Sequence, residues 1–288
     1  MSKPIPFELL ICPSCKSENI KQATHDIVCN NCKKAYKNMT QQYRFVDYGD
    51  EQVTDTLDKI KFIVKKNRTI YDFIMKVLGP VYFDTSMSRF LKKYVKSKNK
   101  IAINLGSGNS DISKEVSNVD IFPYGSVNIT CDIANLPLKA NSIDVIINSA
   151  VLEHVPNPEK VVAEIHRVLK KGGIVYSFFP FMQGFHASPY DFSRRTIEGM
   201  KVLYKDFDII EVKPSGGPTS GFLWVFQEWL AILLSFGIKP LHQLIWSILL
   251  VTLWPIKFLD IILLKHPMAH NISSGFVLIG KKSATQRD

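Results

Sequence analysis

At 288 residues the chain has room for one large domain and a small one. A hydrophobic content of 46% and a mean hydropathy of +0.03 exclude wholesale disorder and permit a sizeable core. The formal net charge is +10, and Glu51 to Lys100 holds 12 Lys/Arg against 5 Asp/Glu, which is +7 of it. So local an excess fits either a solvated helical face or attraction to an anionic surface, lipid or nucleic acid.

Residues 1–48 hold four of the five cysteines. Two residues separate Cys12 from Cys15 and Cys29 from Cys32, and thirteen lie between the pairs. Each pair can form a tight knuckle, and two knuckles on a short β-hairpin complete a tetrahedral four-sulfur site of the structural zinc type. A redox pair would not need two matched knuckles. With all four positions filled by protein, the expected Zn2+ is structural, and it supplies stability that so short a segment cannot draw from burial. Metal thiolates and the absence of a signal-peptide pattern in residues 1–10 lead us to expect exposure to a cytosolic compartment.

Residues 49–98 read as a basic helical linker or lid. Ile60, Ile63 and Val64, then Ile70, Phe73, Ile74 and Val77, recur at helical spacing and predict two or three helices.

Residues 99–213, completed by 272–283, alternate short apolar runs with amphipathic stretches, the βαβ pattern of an α/β fold. Ile101–Leu105 predicts a buried strand ending in Gly106-Ser107-Gly108, with a helix expected after it. Asp120 ends a second strand and Asp132-Ile133 a third. Asp144 leads into the next strand, and Val151-Leu152-Glu153-His154-Val155 follows. A helix containing His166 should stop at Lys170-Lys171-Gly172-Gly173. Bland roles are expected for Asp144 (a turn), Cys131 (packing) and His154 (satisfying neighbours), and no role is assigned to His166.

The succession Leu-Gly-Ser-Gly, Asp120, Asp-Ile-x-x-Leu-Pro, Ser-Ile-Asp-Val-Ile, Val-Leu-Glu-His-Val and Glu-Ile-x-Arg-Val-Leu-Lys-x-Gly-Gly resembles class I S-adenosylmethionine-dependent methyltransferases of the UbiE/small-molecule type, over residues 100–212. The resemblance implies a Rossmann-like seven-stranded sheet in the order 3-2-1-4-5-7-6 and S-adenosylmethionine as cofactor. It places Gly106, Ser107 and Gly108 at the methionine part, Asp120 with Ile121 at the ribose, Asp132 with Ile133 at the adenine, and Ser149 with Ala150 beside the sulfonium. Asn104 stands where the family usually has an acidic residue near the methionine amino group, so charge assistance is lost there.

The stretch after the fifth strand, His186-x-x-Pro-Tyr190-Asp191-Phe-x-Arg194-x-Thr, resembles that of methyltransferases of surface-polysaccharide and lipid-linked glycan pathways. A sugar hydroxyl is a poor nucleophile, so a base within reach would help. His186 is the first candidate, by its pKa range, and Asp191 the second, as base or as the group orienting His186. Tyr190 lies in the same stretch, and Arg194 is a candidate for an acceptor phosphate or carboxylate. The competing reading is a structural loop in which Asp191 and Arg194 pair with each other.

Residues 214–271 interrupt the last two strands, Phe207–Val212 and Gly275–Gly280. Phe222–Ile238 carries one charge, Glu228, and Leu241–Ile256 none. Each run is near the length of a membrane span, and all four tryptophans (Trp224, Trp229, Trp246, Trp254) fall here. A hairpin dipping into one leaflet, two full crossings, an interfacial pair and a soluble dimerisation or capping pair are the alternatives. The insertion should leave from and return to the cofactor edge of the sheet.

Together these features predict a methyltransferase at the cytoplasmic face of a membrane, with membrane lipid as a partner, acting on a lipid-linked sugar or other amphipathic acceptor. A quinone or polyprenyl-lipid methyltransferase, an RNA methyltransferase and a non-catalytic adaptor are the rivals. The aliphatic insertion and the lack of an Asn-Pro-Pro-Tyr-like motif argue against nucleic acid.

Overall fold

The computed structural model describes residues 2–39, 42–46, 77–82, 85–96, 100–186 and 190–283. Most of the expected helical segment 49–98 therefore lies outside the described residues; its described part holds α1 (Ser86–Tyr94).

The cysteine segment folds as β1 (Ile20–Gln22), β2 (Asp26–Cys29), β3 (Ala35–Met39) and β4 (Gln42–Arg44). The core supplies β5 (Ala102–Leu105), β6 (Val116–Asp120), β7 (Ile129–Thr130), β8 (Ile143–Ser149), β9 (Leu169–Pro180), β10 (Phe207–Ser215) and β11 (Gly275–Lys282). Its further helices are α2 (Pro158–Val168), α3 (Ile197–Leu203), α4 (Gly217–Ser235), α5 (Lys239–Leu253) and α6 (Asp260–Leu263).

One eleven-stranded sheet runs β1-β2-β3-β4-β7-β6-β5-β8-β9-β11-β10. This corrects the seven-stranded expectation. The stretch from β7 to β10 keeps the implied core order, and the cysteine segment extends it by four strands. The join is a parallel pair, Tyr43 beside Ile129 and Arg44 beside Thr130. Leu10 bridges Leu138, and the Ile11 N–H donates to the Pro137 carbonyl (3.0 Å), so the segment is stitched to the core twice.

The central strands are apolar on both faces because both faces are covered. On one face Ile103, Leu105, Ile146 and Val175 pack with Val161, Ile165 and Val168 of α2. That helix starts where Asn157 accepts the Lys160 N–H and Pro158 occupies its first turn. On the other face Ala102, Val116, Val145 and Tyr176 pack with Phe90 and Leu91 of α1. The helix expected after Gly108 is absent. Only residues 106–115 join β5 to β6, too few for a helical crossover; they run as turns and coil, and α1 covers that face instead.

Candidate functional site

The parallel strands end level with one another. Leu105 lies beside Val119 and Asn148, Asp120 beside Thr130, and Ser149 beside Phe178. Gly106, Asp120, Asp132 and Ser149 are thus drawn to one sheet edge, where ligands of open α/β sheets bind. Gly106 (φ +62°) and Gly108 (φ +55°) take left-handed conformations that disfavour side chains. A Cβ on Gly106 would lie 2.5 Å from both Val151 methyls, whereas one on Gly108 would meet nothing within 4 Å. Gly106 therefore shapes the turn, and Gly108 leaves open space over it. The Gly108 N–H donates to Asp120 Oδ2 (2.7 Å) and the Phe122 N–H to Oδ1 (3.0 Å). Asp120 thus shapes the loop in addition to the ribose role implied for it. Asp132 is exposed and accepts the Ala134 N–H (2.8 Å), capping a short 3-10 turn that contains the buried Ile133. Ser107 is buried and Ile121 half-buried; Ser149 and Ala150 are exposed, with Ala150 held at φ +55°. Open space lies above Gly108, at the sheet edge that also carries Asp120, Asp132 and Ser149.

Asn104 has a partner inside the sheet. It is buried inside β5, and its amide reaches across the strand pair to Asn118 Oδ1 (3.5 Å). Register puts the two residues opposite each other.

On the acceptor side, the Asp191 carboxylate is gripped by both Arg194 Nη atoms, Nη2 at 2.6 Å from Oδ2, and also accepts the His186 N–H (2.8 Å). Arg194 and the His186 N–H hold its pKa down at about 2. The other Arg194 donors go to the carbonyls of Gln183 (3.1 Å), Gly184 (2.9 Å) and Ser193 (2.9 Å). Asp191 and Arg194 are thus engaged with each other and with the loop. The structural pairing is the arrangement observed. Tyr190 is exposed, and its carbonyl accepts from His154 Nδ1 (2.6 Å). His186 is half-buried against Trp224, ring centroids 5.5 Å apart. Burial opposes its imidazolium, but the Glu153 carboxyl and the Gly184 carbonyl outweigh that and raise its pKa. Glu153 is fully buried.

The four cysteines converge, all sulfurs within 4.8 Å of one another and Cys12–Cys32 and Cys15–Cys29 at 3.5 Å. The knuckles match: the Lys16 N–H donates to the Cys12 carbonyl (2.8 Å) and the Lys33 N–H to that of Cys29 (2.9 Å), both lysines at positive φ. The Ser17 backbone and the Asn31 amide lower the Cys15 pKa to about 6, whereas the neighbouring sulfurs push Cys32 up to about 11, as expected when four thiols crowd together. Four converging thiols suit a tetrahedral ion. Cys131 is buried apart from them, its pKa raised by desolvation.

β10 runs parallel to β9 through β11, so Ser215 ends level with Gly275 and Pro180. The chain then enters α4 at Gly217, from the edge that carries Gly106 and Ser149. α4 and α5 form a hairpin turning at 236–238, where Phe236 and Gly237 have positive φ; Lys239 and Pro240 begin α5. Most large apolar side chains exposed among the described residues fall between Phe222 and Ile272, and α5 has no buried residue. One helical run, Lys239–Leu263, mean hydropathy 1.8, is long and apolar enough to cross a membrane. Two charges toward its C-terminal end are buried. Lys257 Nζ donates to the carbonyls of Val77 (2.9 Å) and Gly79 (2.7 Å), and burial lowers its pKa. Asp260 accepts the N–H groups of Thr219 and Ser220 (2.8 Å each) and caps α4.

Residues 85–177 match the family model described as a methyltransferase domain. Over those residues the chain is similar to that domain. It is 25% identical over 184 residues to the 25S rRNA (adenine(645)-N(1))-methyltransferase of Schizosaccharomyces pombe, covering 57% of each chain. An uncharacterized chloroplast methyltransferase of Arabidopsis thaliana is 37% identical over 65 residues, 19% of this chain and 18% of that one. The chain thus spans less than two thirds of either relative. Among solved structures, Haemonchus contortus phosphoethanolamine N-methyltransferase 2 with S-adenosyl-L-methionine aligns at a TM-score of 0.45 and 16% identity, covering 78% of this chain and 60% of that one.

Sequence reasoning missed three contributors. Val151 closes over Gly106, Trp224 abuts Gly184 (indole Nε1 3.0 Å from where its Cβ would stand), and Glu153 lies buried between His154 and His186. Only the adjacency of Glu153 and His154 after β8 gave a signal for the last.

Proposed function

We propose that the protein moves the methyl group of S-adenosylmethionine to a hydroxyl of an amphipathic acceptor, a lipid-linked sugar or glycan intermediate, at the cytoplasmic face of a membrane. A shared rim carries the reading. The glycine loop, Asp120 and Ser149 occupy the edge of the sheet from which the apolar hairpin departs, and Trp224 of that hairpin lies on the acceptor loop beside His186. An acceptor with a lipid tail along the hairpin would bring its polar head to this edge.

Bound S-adenosylmethionine supplies a methyl already activated on sulfonium. The protein's task is then alignment and management of one proton. Gly108 leaves room for the cofactor, with Asp120, Ile121, Asp132 and Ile133 along its nucleoside and Ser149 and Ala150 toward the sulfonium. The Asp191–Arg194 pair fixes the loop and so the position of His186. The imidazoles of His186 and His154, backed by Glu153, activate the acceptor hydroxyl. The four-cysteine module, loaded with Zn2+, is structural.

A second reading, RNA methylation, draws on the Schizosaccharomyces pombe relative, whose name states an rRNA substrate. Transfer of label from methyl-labelled S-adenosylmethionine into lipid, polysaccharide and RNA extracts separates the two. Label in the lipid or glycan fraction is expected; label confined to RNA would overturn the proposal.

A further inference from the structure

The buried Glu153 needs an explanation. It is 0% exposed, and neither carboxyl oxygen has a hydrogen-bond partner among the described residues. Burying a carboxylate without partners is costly, and native structures avoid it. The groups that do face it are two imidazole nitrogens: His154 Nε2 lies 3.7 Å and His186 Nε2 3.9 Å from Oε1. Those distances are too long for hydrogen bonds. The three donor atoms lie within 4.8 Å of one another.

The protonation of the rings follows from their other nitrogens. His154 Nδ1 is 2.6 Å from the Tyr190 carbonyl, which can only accept, so Nδ1 carries a proton. His186 Nδ1 is 2.8 Å from the Gly184 carbonyl. Arg194 Nη2 is also near it, at 3.2 Å, but donates its two protons to Gly184 O and Asp191 Oδ2. His186 Nδ1 is therefore a donor too. In the neutral rings each Nε2 then presents a lone pair toward a carboxyl oxygen. Three electron-pair donors facing one point repel one another unless a proton or a metal cation lies between them.

We infer that Glu153, His154 and His186 form a binding site for a divalent transition-metal ion of the zinc class. Two imidazoles and a carboxylate suit such ions, and in metal sites the second ring nitrogen of a histidine usually donates to a carbonyl or carboxylate, as both do here. Ions of this class hold these ligands at about 2.0–2.2 Å, which puts tetrahedral neighbours roughly 3.4 Å apart. The 3.7 and 3.9 Å separations thus close only slightly on binding. Three protein ligands leave a fourth position open, the mark of a catalytic rather than a structural site. The side chains of His154 and His186 are 16% and 28% exposed, so that position opens toward the acceptor loop.

The role of the ion rests on the methyl-transfer reading. An acceptor hydroxyl in the open position would lose its proton to solvent more readily. The resulting oxygen anion forms the O–CH3 bond as the S–CH3 bond breaks, and the sulfonium leaves as a neutral thioether.

The test uses the full chain, loaded with zinc until the cysteine cluster is filled and then titrated with Co2+ by calorimetry. One further equivalent is expected to bind. Glu153→Gln, which keeps the side-chain volume, and His154→Ala should each weaken it roughly tenfold or more. S-adenosylmethionine, titrated separately, should bind wild type and Glu153→Gln alike. Co2+ isotherms identical in wild type, Glu153→Gln and a His154→Ala/His186→Ala double variant would overturn the site. Cofactor binding without Co2+ binding sinks the metal alone; Co2+ binding without cofactor binding sinks the methyl-transfer reading alone.

Discussion

Replacing Gly106 by alanine separates folding from ligand binding at the glycine loop. Two costs add at this position. The left-handed backbone (φ +62°) penalises a Cβ by about 1–2 kcal/mol. The new methyl would also stand 2.5 Å from both Val151 Cγ atoms. Val151 is β-branched and buried, so turning one methyl away brings the other in, and overpacking of this kind costs about 1–3 kcal/mol. The expected loss is roughly 2–5 kcal/mol, read as a lower urea midpoint with unchanged slope. Gly108→Ala shares the backbone penalty (φ +55°) but meets nothing within 4 Å. It should cost about 1 kcal/mol, since alanine also restricts the unfolded chain, yet weaken S-adenosylmethionine binding by filling the open space. In the double variant Gly106→Ala/Val151→Ala the packing cost should shrink, leaving a 3.1 Å contact with the Cβ at 151, and the backbone cost remain. If Gly106→Ala unfolds within about 0.5 kcal/mol of wild type, the threshold for an unremarkable substitution, the closure of Val151 over the loop is wrong.

Three further outcomes are expected. Asp191 has a folded pKa of about 2, below its ordinary 3.8, so its contribution is present above pH 3.8 and fades as pH falls toward 2. After allowance for solvent screening this is about 1–2 kcal/mol, and urea midpoints from pH 5 to 2 should fall less steeply in Asp191→Asn; equal slopes would exclude the pairing. Stripping metal from the cysteine cluster with a chelator should lower the melting temperature by roughly 5–10 °C, because a structural ion contributes several kcal/mol and each one shifts a domain of this size by about 2–4 °C; an unmoved melting point would show that the cluster holds nothing. Phe236→Asp with Ile238→Asp alters the hairpin turn, where the side chains are 84% and 55% exposed. Sedimentation with anionic vesicles should weaken at least tenfold at constant melting temperature, since each buried side chain is worth about 1.5–3 kcal/mol; equal sedimentation would remove the hairpin as a membrane contact.

What the sequence disclosed was mostly what is local. The strand Ala102–Leu105, its two glycines and the carboxylates closing the next strands are each specified within a few residues, so their meeting at one edge follows from parallel pairing. The matched cysteine knuckles were legible for the same reason. Counting would have caught one error: with β6 ending at Asp120, the ten residues from 106 to 115 leave no space for a helix. The remaining features depend on distant partners. Nothing near Asp260 announces that it caps a helix 40 residues earlier, or that Lys257 reaches carbonyls near residue 78. Arg194 reads as a candidate anion binder until the carbonyls around it are known to take its protons.

The seam between the cysteine module and the core lies under the Asp132 turn at that edge. Lys16, the residue closing the first knuckle, reaches Asn135 and Glu164, and Asn135 in turn donates to the Pro13 carbonyl (3.1 Å). Asn135 is the last residue of the turn that Asp132 caps. A chain begun at residue 49 would therefore not be a smaller copy of the same catalyst. It would bare the backbone of β7 to any passing strand and unpin the very turn on which the base of the cofactor is expected to rest.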